Sequence, residues 1–190
     1  MNGLASVASS LRGAALITLG QARGALLIDM SPAGTARSFW AIAFCVPIVV
    51  GLRLVDWVGG TVPPAPIAAI LRHVVVFVVA WLLFAELTHR VAPRFGRATL
   101  WPFMITVWNW CGVTENGLLL LGCVPGLLGA PPIVDQAAQV FTFGWALWVE
   151  WYGFRLAFGA GPMLAAWLVM VDQTIGMVVS MLEMLATPLS

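Results

Sequence analysis

The chain has 190 residues, of which 61% are hydrophobic and only 9% charged, with a mean hydropathy of +0.97. Water-soluble domains carry about 25% charged residues, so this composition excludes an ordinary soluble fold and points to lipid. A formal charge of +1 gives no basis for nucleic-acid binding or for an acidic substrate, and the length suits one domain.

Residues 1–30 predict an amphipathic interfacial helix rather than a cleaved leader. Leu4, Val7, Leu11 and Ala15 recur at helical spacing, and Arg12 and Arg23 would sit among the headgroups. Residues 31–190 then form the membrane domain. Ser31-Pro32 reads as a helix cap followed by proline at the first helical position. Five apolar spans follow, at about 38–58, 67–87, 99–122, 134–154 and 162–186, each long enough for a bilayer of ~30 Å. Pro47 lies within the first span and is a site for a kink. Pro63, Pro64 and Pro66 break the chain before the second span, and Gly126, Gly129, Pro131 and Pro132 break it before the fourth. The expected fold is therefore all-α: an integral membrane bundle of five transmembrane helices with an N-terminal interfacial helix.

Every basic residue is arginine, which fits a bacterial, GC-rich source. With five spans, Arg12, Arg23, Arg37, Arg90, Arg94, Arg97 and Arg155 collect on one side. Only Arg53 and Arg72 fall on the other. The positive-inside rule places the N-terminus in the cytoplasm and Ser190 outside, in a bacterial cytoplasmic membrane.

The polar residues inside the spans are Asn109, Glu115, Asn116, Glu150, Arg155 and Asp172, an intramembrane network. Such residues are costly in lipid and face other helices. A rise of ~1.5 Å per residue puts Asn109 and Asp172 at the midplane, Glu115 toward the outer side, and Glu150 and Arg155 toward the inner side. Small neighbours, Gly112 after Asn109 and Gly176 after Asp172, predict that the third and fifth spans pack together at that pair. Glu86 is the expected partner of Arg155, with Arg97 or Arg37 for Glu150.

Catalytic signatures are missing: there is no nucleophile elbow, zinc-protease helix, phosphate loop or dinucleotide fingerprint. The reading is a non-enzyme. Cys45, Cys111 and Cys123 have no metal-ligand spacing and read as small buried hydrophobes. His73 is the one candidate for a haem or pigment ligand within a span; an interfacial packing role is its alternative. The sequence requires no cofactor, although ten tryptophans are compatible with bound lipid, quinone or pigment. Transporters commonly show internal repeats or paired broken helices, and neither is visible.

From Leu26 to Ala186 the layout resembles the Yip-like membrane proteins of bacteria. The likeness rests on the basic lead-in, the Ser31-Pro32 entry with Ser38-Phe39 and Pro47, and the five spans. Asn109-Trp110, Glu150-Trp151 with Arg155, and Asp172 complete it. It implies a non-catalytic scaffold or accessory protein acting through contacts with membrane lipids and other membrane proteins. Two alternatives stand beside it: a peripheral subunit of a photosynthetic or respiratory complex, and a small proton- or ion-coupled transporter.

Overall fold

The computed structural model describes residues 3–185, and within them the chain is all-helical with no strand. Eight α-helices follow in order: α1 (Gly3–Thr18), α2 (Pro32–Ser38), α3 (Ala41–Gly59), α4 (Pro66–Val91), α5 (Trp101–Gly122), α6 (Val124–Leu127), α7 (Pro132–Phe158) and α8 (Pro162–Leu185). Short 3₁₀ turns at Ala22–Leu27, Ala92–Phe95 and Ala98–Leu100 link them. The expected helices all form, with the prolines at their starts: Pro32, Pro66, Pro132 and Pro162 each open a helix. The Ser31 hydroxyl accepts a hydrogen bond from Gly34 N at 3.0 Å, as its position before Pro32 predicts. Pro47 lies inside α3 without ending it. Ala186 and Ser190, the expected end of the last span and the chain terminus, lie outside the described residues.

Three stretches are long and apolar enough to cross a membrane: Pro32–Gly59, Pro66–Phe95 and Pro162–Leu185. They face outward, for only 22%, 17% and 6% of their most apolar windows is buried within the protein. Their outer surface carries Leu71, Val75, Val79, Leu82, Met163 and Trp167 in exposed positions. Helices α5 and α7 do not belong to this apolar set; for α5 its place in the bundle explains why, whereas α7 keeps an exposed apolar face at Ile133, Val140 and Phe141. Helix α5 is the centre: Met104 through Gly112 is buried without a break. Its widest packing is against antiparallel α7, with α3, α1 and α2 closing around it. A helix enclosed by other helices has no lipid face to make apolar. Helix α4 packs mainly on α8, which also leans on α7.

The N-terminal segment departs from its expected geometry. Helix α1 packs along α5, and the face it buries is mostly small and polar, Ser6, Ser10, Ala14 and Thr18, with Ile17 beside them. Of the expected apolar stripe, Val7 and Leu11 are half-buried and Ala15 is exposed. The side chain of Leu4 lies outside the described residues. The reason is that small and polar groups let helices approach and bond where lipid supplies the apolar solvent. Ser6 donates to Asp29 Oδ2 at 3.0 Å and Ser9 to the Leu27 carbonyl at 2.8 Å. Thr18 donates to Thr114 Oγ1 at 2.8 Å, while the Trp145 indole donates to the Thr18 carbonyl at 3.0 Å. Residues 22–29 thus return alongside α1 as the second arm of a hairpin.

The two arms meet at glycines. A Cβ built on Gly13 would lie 2.6 Å from the Gly24 carbonyl oxygen, and one on Gly24 would meet the Gly13 carbonyl in return. Overpacking of this kind costs typically ~1–3 kcal/mol. Gly24→Val is therefore expected to lower the melting temperature in detergent, with Gly117→Ala, where the added Cβ meets open space, as the matched control. Equal melting of the two variants and the parent would contradict the close crossing.

At the base of the hairpin Asp29 is held by Ser31, through its hydroxyl and its backbone N–H, by Ser6, and by Arg37 at 2.5 Å. The Ser31 bonds come first among the causes that lower its pKa to about 2. An unfolded aspartate titrates near 3.9. The folded value is the lower one, so the stabilisation is complete above ~4 and is lost as pH falls through about 2. Asp29→Asn should melt below the parent at pH 7, and that gap should close between about pH 4 and pH 2. A gap that is constant with pH would show that the carboxylate is not the stabilising group.

Candidate functional site: a carboxyl-lined cavity inside the bundle

Asn109 occupies the core of the bundle with no exposed surface. Both ends of its amide are engaged: the Trp81 indole donates to Oδ1 at 2.8 Å, and Nδ2 donates to the Ser38 hydroxyl at 2.7 Å. Ser38 passes the bond to the Thr35 carbonyl at 2.7 Å, and Thr106 donates to the Thr35 hydroxyl at 3.0 Å. This chain of bonds ties α2, α4 and α5 together. It also corrects the expected Asn109–Asp172 pair. Packing between α5 and α8 is slight, and the amide is spent on Trp81 and Ser38. Trp81 reaches Asn109 because Gly112 stands one turn on: a Cβ there would sit 2.8 Å from the Trp81 ring.

The other polar residues gather elsewhere. Glu115 of α5, Glu150 of α7 and Asp172 of α8 line one cavity of about 200 Å³, together with Trp81, Trp108 and Gln173. Asp172 lies against the Glu150 carboxyl group and the Trp108 indole. Gln173 donates to Glu150 Oε2 at 3.3 Å. Glu150 is 3% exposed, and its other oxygen, Oε1, has no partner; nor has Oε1 of Glu115. Asn116 lines the same cavity but turns its amide to the Gly112 carbonyl at 2.8 Å.

Depth along single helices had sorted these carboxyls into three layers, yet they converge. Helical side chains lean toward their own N-terminus. Helices α5 and α7 are antiparallel, so Glu115 leans back toward the start of α5 and Glu150 toward the start of α7. The two side chains close the distance between the layers. Asp172 then meets them because α8 packs on α7. Trp108 is one of three tryptophans of the third span, with Trp101 and Trp110, whereas Gln173 is not among the expected site residues. Gln173 follows Asp172 directly, and that adjacency was its only signal.

No basic residue lines the cavity. Arg155 stacks its guanidinium 5.0 Å above the Trp151 ring instead of meeting Glu86. Glu86 pairs with Arg90 at 2.5 Å, one helical turn away. Arg97 donates to the Phe158 carbonyl and Arg37 holds Asp29, so neither reaches Glu150. His73 places Nδ1 3.4 Å from Glu183 Oε2, while Arg72 approaches the other oxygen of Glu183 at 3.4 Å. That cluster joins the start of α4 to the end of α8. Among the described residues no group of three His, Cys, Asp or Glu is placed to hold a metal ion.

Comparison with protein families, with curated proteins and with solved structures finds no match.

The Asn109 node yields a direct test. Interhelical hydrogen bonds in membrane proteins average ~0.6 kcal/mol and reach ~1.7. A double-mutant cycle of Asn109→Leu and Trp81→Phe, read by unfolding in mixed micelles, should give a coupling in that range, with each single variant less stable than the parent. Strict additivity would mean that the Trp81–Asn109 bond does not hold α4 to α5.

Proposed function

We propose that the chain is a five-span protein of the bacterial cytoplasmic membrane, N-terminus inside, that takes up a cation in the cavity between α4, α5, α7 and α8. The observation that carries this reading is the set of three carboxyl groups, from three helices, around one space that has no cationic side chain. Ionisable groups at membrane depth are expensive and mark ion or proton paths, with a partner for each. Here the chain provides partners for Asp29, Asp56, Glu86 and Glu183, and leaves buried oxygens of Glu115 and Glu150 open. A cation from outside the chain completes the set. Two carboxyls in contact cannot both carry full charge and so share a proton when no cation is present. A cation entering beside Glu115, Glu150 and Asp172 therefore displaces a proton, and exchange of the two is the expected activity.

Five spans are supported by length and order. Helices α5 and α7, with 22 and 27 residues, extend roughly 33 and 40 Å at 1.5 Å per residue. The polar positions of α5 are enclosed by the surrounding helices, and Glu150 of α7 lies on that helix's buried face. The arginine bias supports the orientation. Bonding of Thr18 to Thr114, ~20 Å along α5 from Trp101, supports insertion of α1 as a re-entrant arm beside α5.

The test uses proteoliposomes loaded with a pH-sensitive dye. Addition of a cation from a panel of sodium, potassium, ammonium and alkylammonium salts is expected to alkalise the lumen in wild type, beyond the response of protein-free liposomes. Glu150→Gln should reduce that response at least tenfold while melting within about 3 °C of wild type. A lumen that ignores every cation overturns the reading and returns the scaffold or accessory-subunit role, for which co-purification of a larger complex in mild detergent is the measurement.

A further inference from the structure

We infer that the cation is a small primary or secondary alkylammonium ion, a conclusion that rests on the cation reading above and narrows it. The first argument is size. At about 200 Å³ the cavity exceeds the ~150 Å³ of an engineered apolar cavity that holds benzene, so it suits a ligand of six to eight heavy atoms. A bare metal ion needs a tight ring of ligands, and no such group of three is present among the described residues.

The second argument is the wall. Phe77, Trp81, Trp108 and Phe143 line the cavity beside the carboxyls. Aromatic rings attract organic cations through their negative faces and accept alkyl groups, whereas strongly hydrated sodium gains little from them. The Trp81 indole N–H is committed to Asn109 and the Trp108 indole lies against Asp172, so the rings act on a ligand as apolar and π surface.

The third argument is hydrogen bonding. Glu115 Oε1 and Glu150 Oε1 accept from no N–H donor, the Glu150 carboxyl having only Gln173 and the neighbouring Asp172 carboxyl beside it, and Glu150 is nine-tenths buried or more. A group that meets these oxygens must donate. An ammonium with two or three N–H groups provides both the charge and the donors. A quaternary ammonium provides charge alone, and a neutral alcohol provides one donor without charge.

Gly176 offers a way to close the site without touching its charge. It lines the cavity, and a Cβ built on it meets nothing within 4 Å. Gly176→Leu should therefore fill the space while keeping the helix intact.

The experiment is a titration of intrinsic tryptophan fluorescence in nanodiscs with cyclohexylammonium, cyclohexanol and tetramethylammonium. Cyclohexylammonium is expected to give a saturable change, at least tenfold tighter than cyclohexanol and several-fold tighter than tetramethylammonium. Glu150→Gln should weaken it at least tenfold, and Gly176→Leu should abolish it with wild-type elution and melting. Saturable binding that is unchanged in both variants places the ligand elsewhere and overturns the inference. No saturable binding, with a lumenal pH response to sodium or potassium intact, overturns the inference and leaves the cation reading standing. No binding and no response to any cation removes both.

Discussion

Everything in this bundle depends on one constraint: the middle of the central helix is sealed within the bundle, so polar groups along it are met by the rest of the chain. Helix α5 carries Thr106, Asn109, Thr114, Glu115 and Asn116. Four of these five are bonded within the protein, to Thr35, Ser38 and Trp81, Thr18 and Gly112. The partners come from α1, α2, α4 and α5 itself. The elements around α5 are thus arranged to meet its polar positions, and the apolar surfaces of α3, α4 and α8 are what remains to face lipid. Loss of a buried partner leaves a desolvated donor or acceptor, at a cost of ~1–3 kcal/mol, so this arrangement specifies the neighbours as well as stabilising them.

The same constraint explains the inverted helix α1. In water a helix buries its apolar stripe; beside another helix in lipid, apolar burial provides no driving force and close approach does. Ser6, Ser10, Gly13 and Ala14 allow that approach, and the glycine crossing with Gly24 brings the returning arm into backbone contact. The apolar residues Leu19 and Leu26 are left outward. An amphipathic pattern therefore located the helix without telling which face would turn inward. The solvent decides that, and the periodicity of the sequence does not contain it.

Much of the architecture was legible from residue order. Proline and glycine positions marked the helix starts and breaks, and the apolar runs marked the long helices to within a few residues. The polar residues of the interior were legible as a set, and Ser31-Pro32 as a cap. Their pairing was not. Asn109 and Asp172 share a depth, but helix neighbours are fixed by packing across the bundle, and α4 rather than α8 reaches Asn109. Arg155 illustrates the same limit. A charge near a helix end can snorkel over an aromatic ring, as it does at Trp151, without an acidic partner.

The contrast between Asn109 and the carboxyl cavity separates what holds the fold from what acts. Asn109 has both amide atoms bonded, and a neutral amide of this kind is a structural tie of modest worth. Glu115, Glu150 and Asp172 are the reverse: groups far more expensive to bury, set together, with no basic side chain lining the space. If the site served only to join α5, α7 and α8, neutral amides would do so at less cost, as Asn109 does a short distance away. The proposed ligand, bringing positive charge and N–H donors, would account for such a cluster beside four aromatic residues in a space large enough for a small molecule.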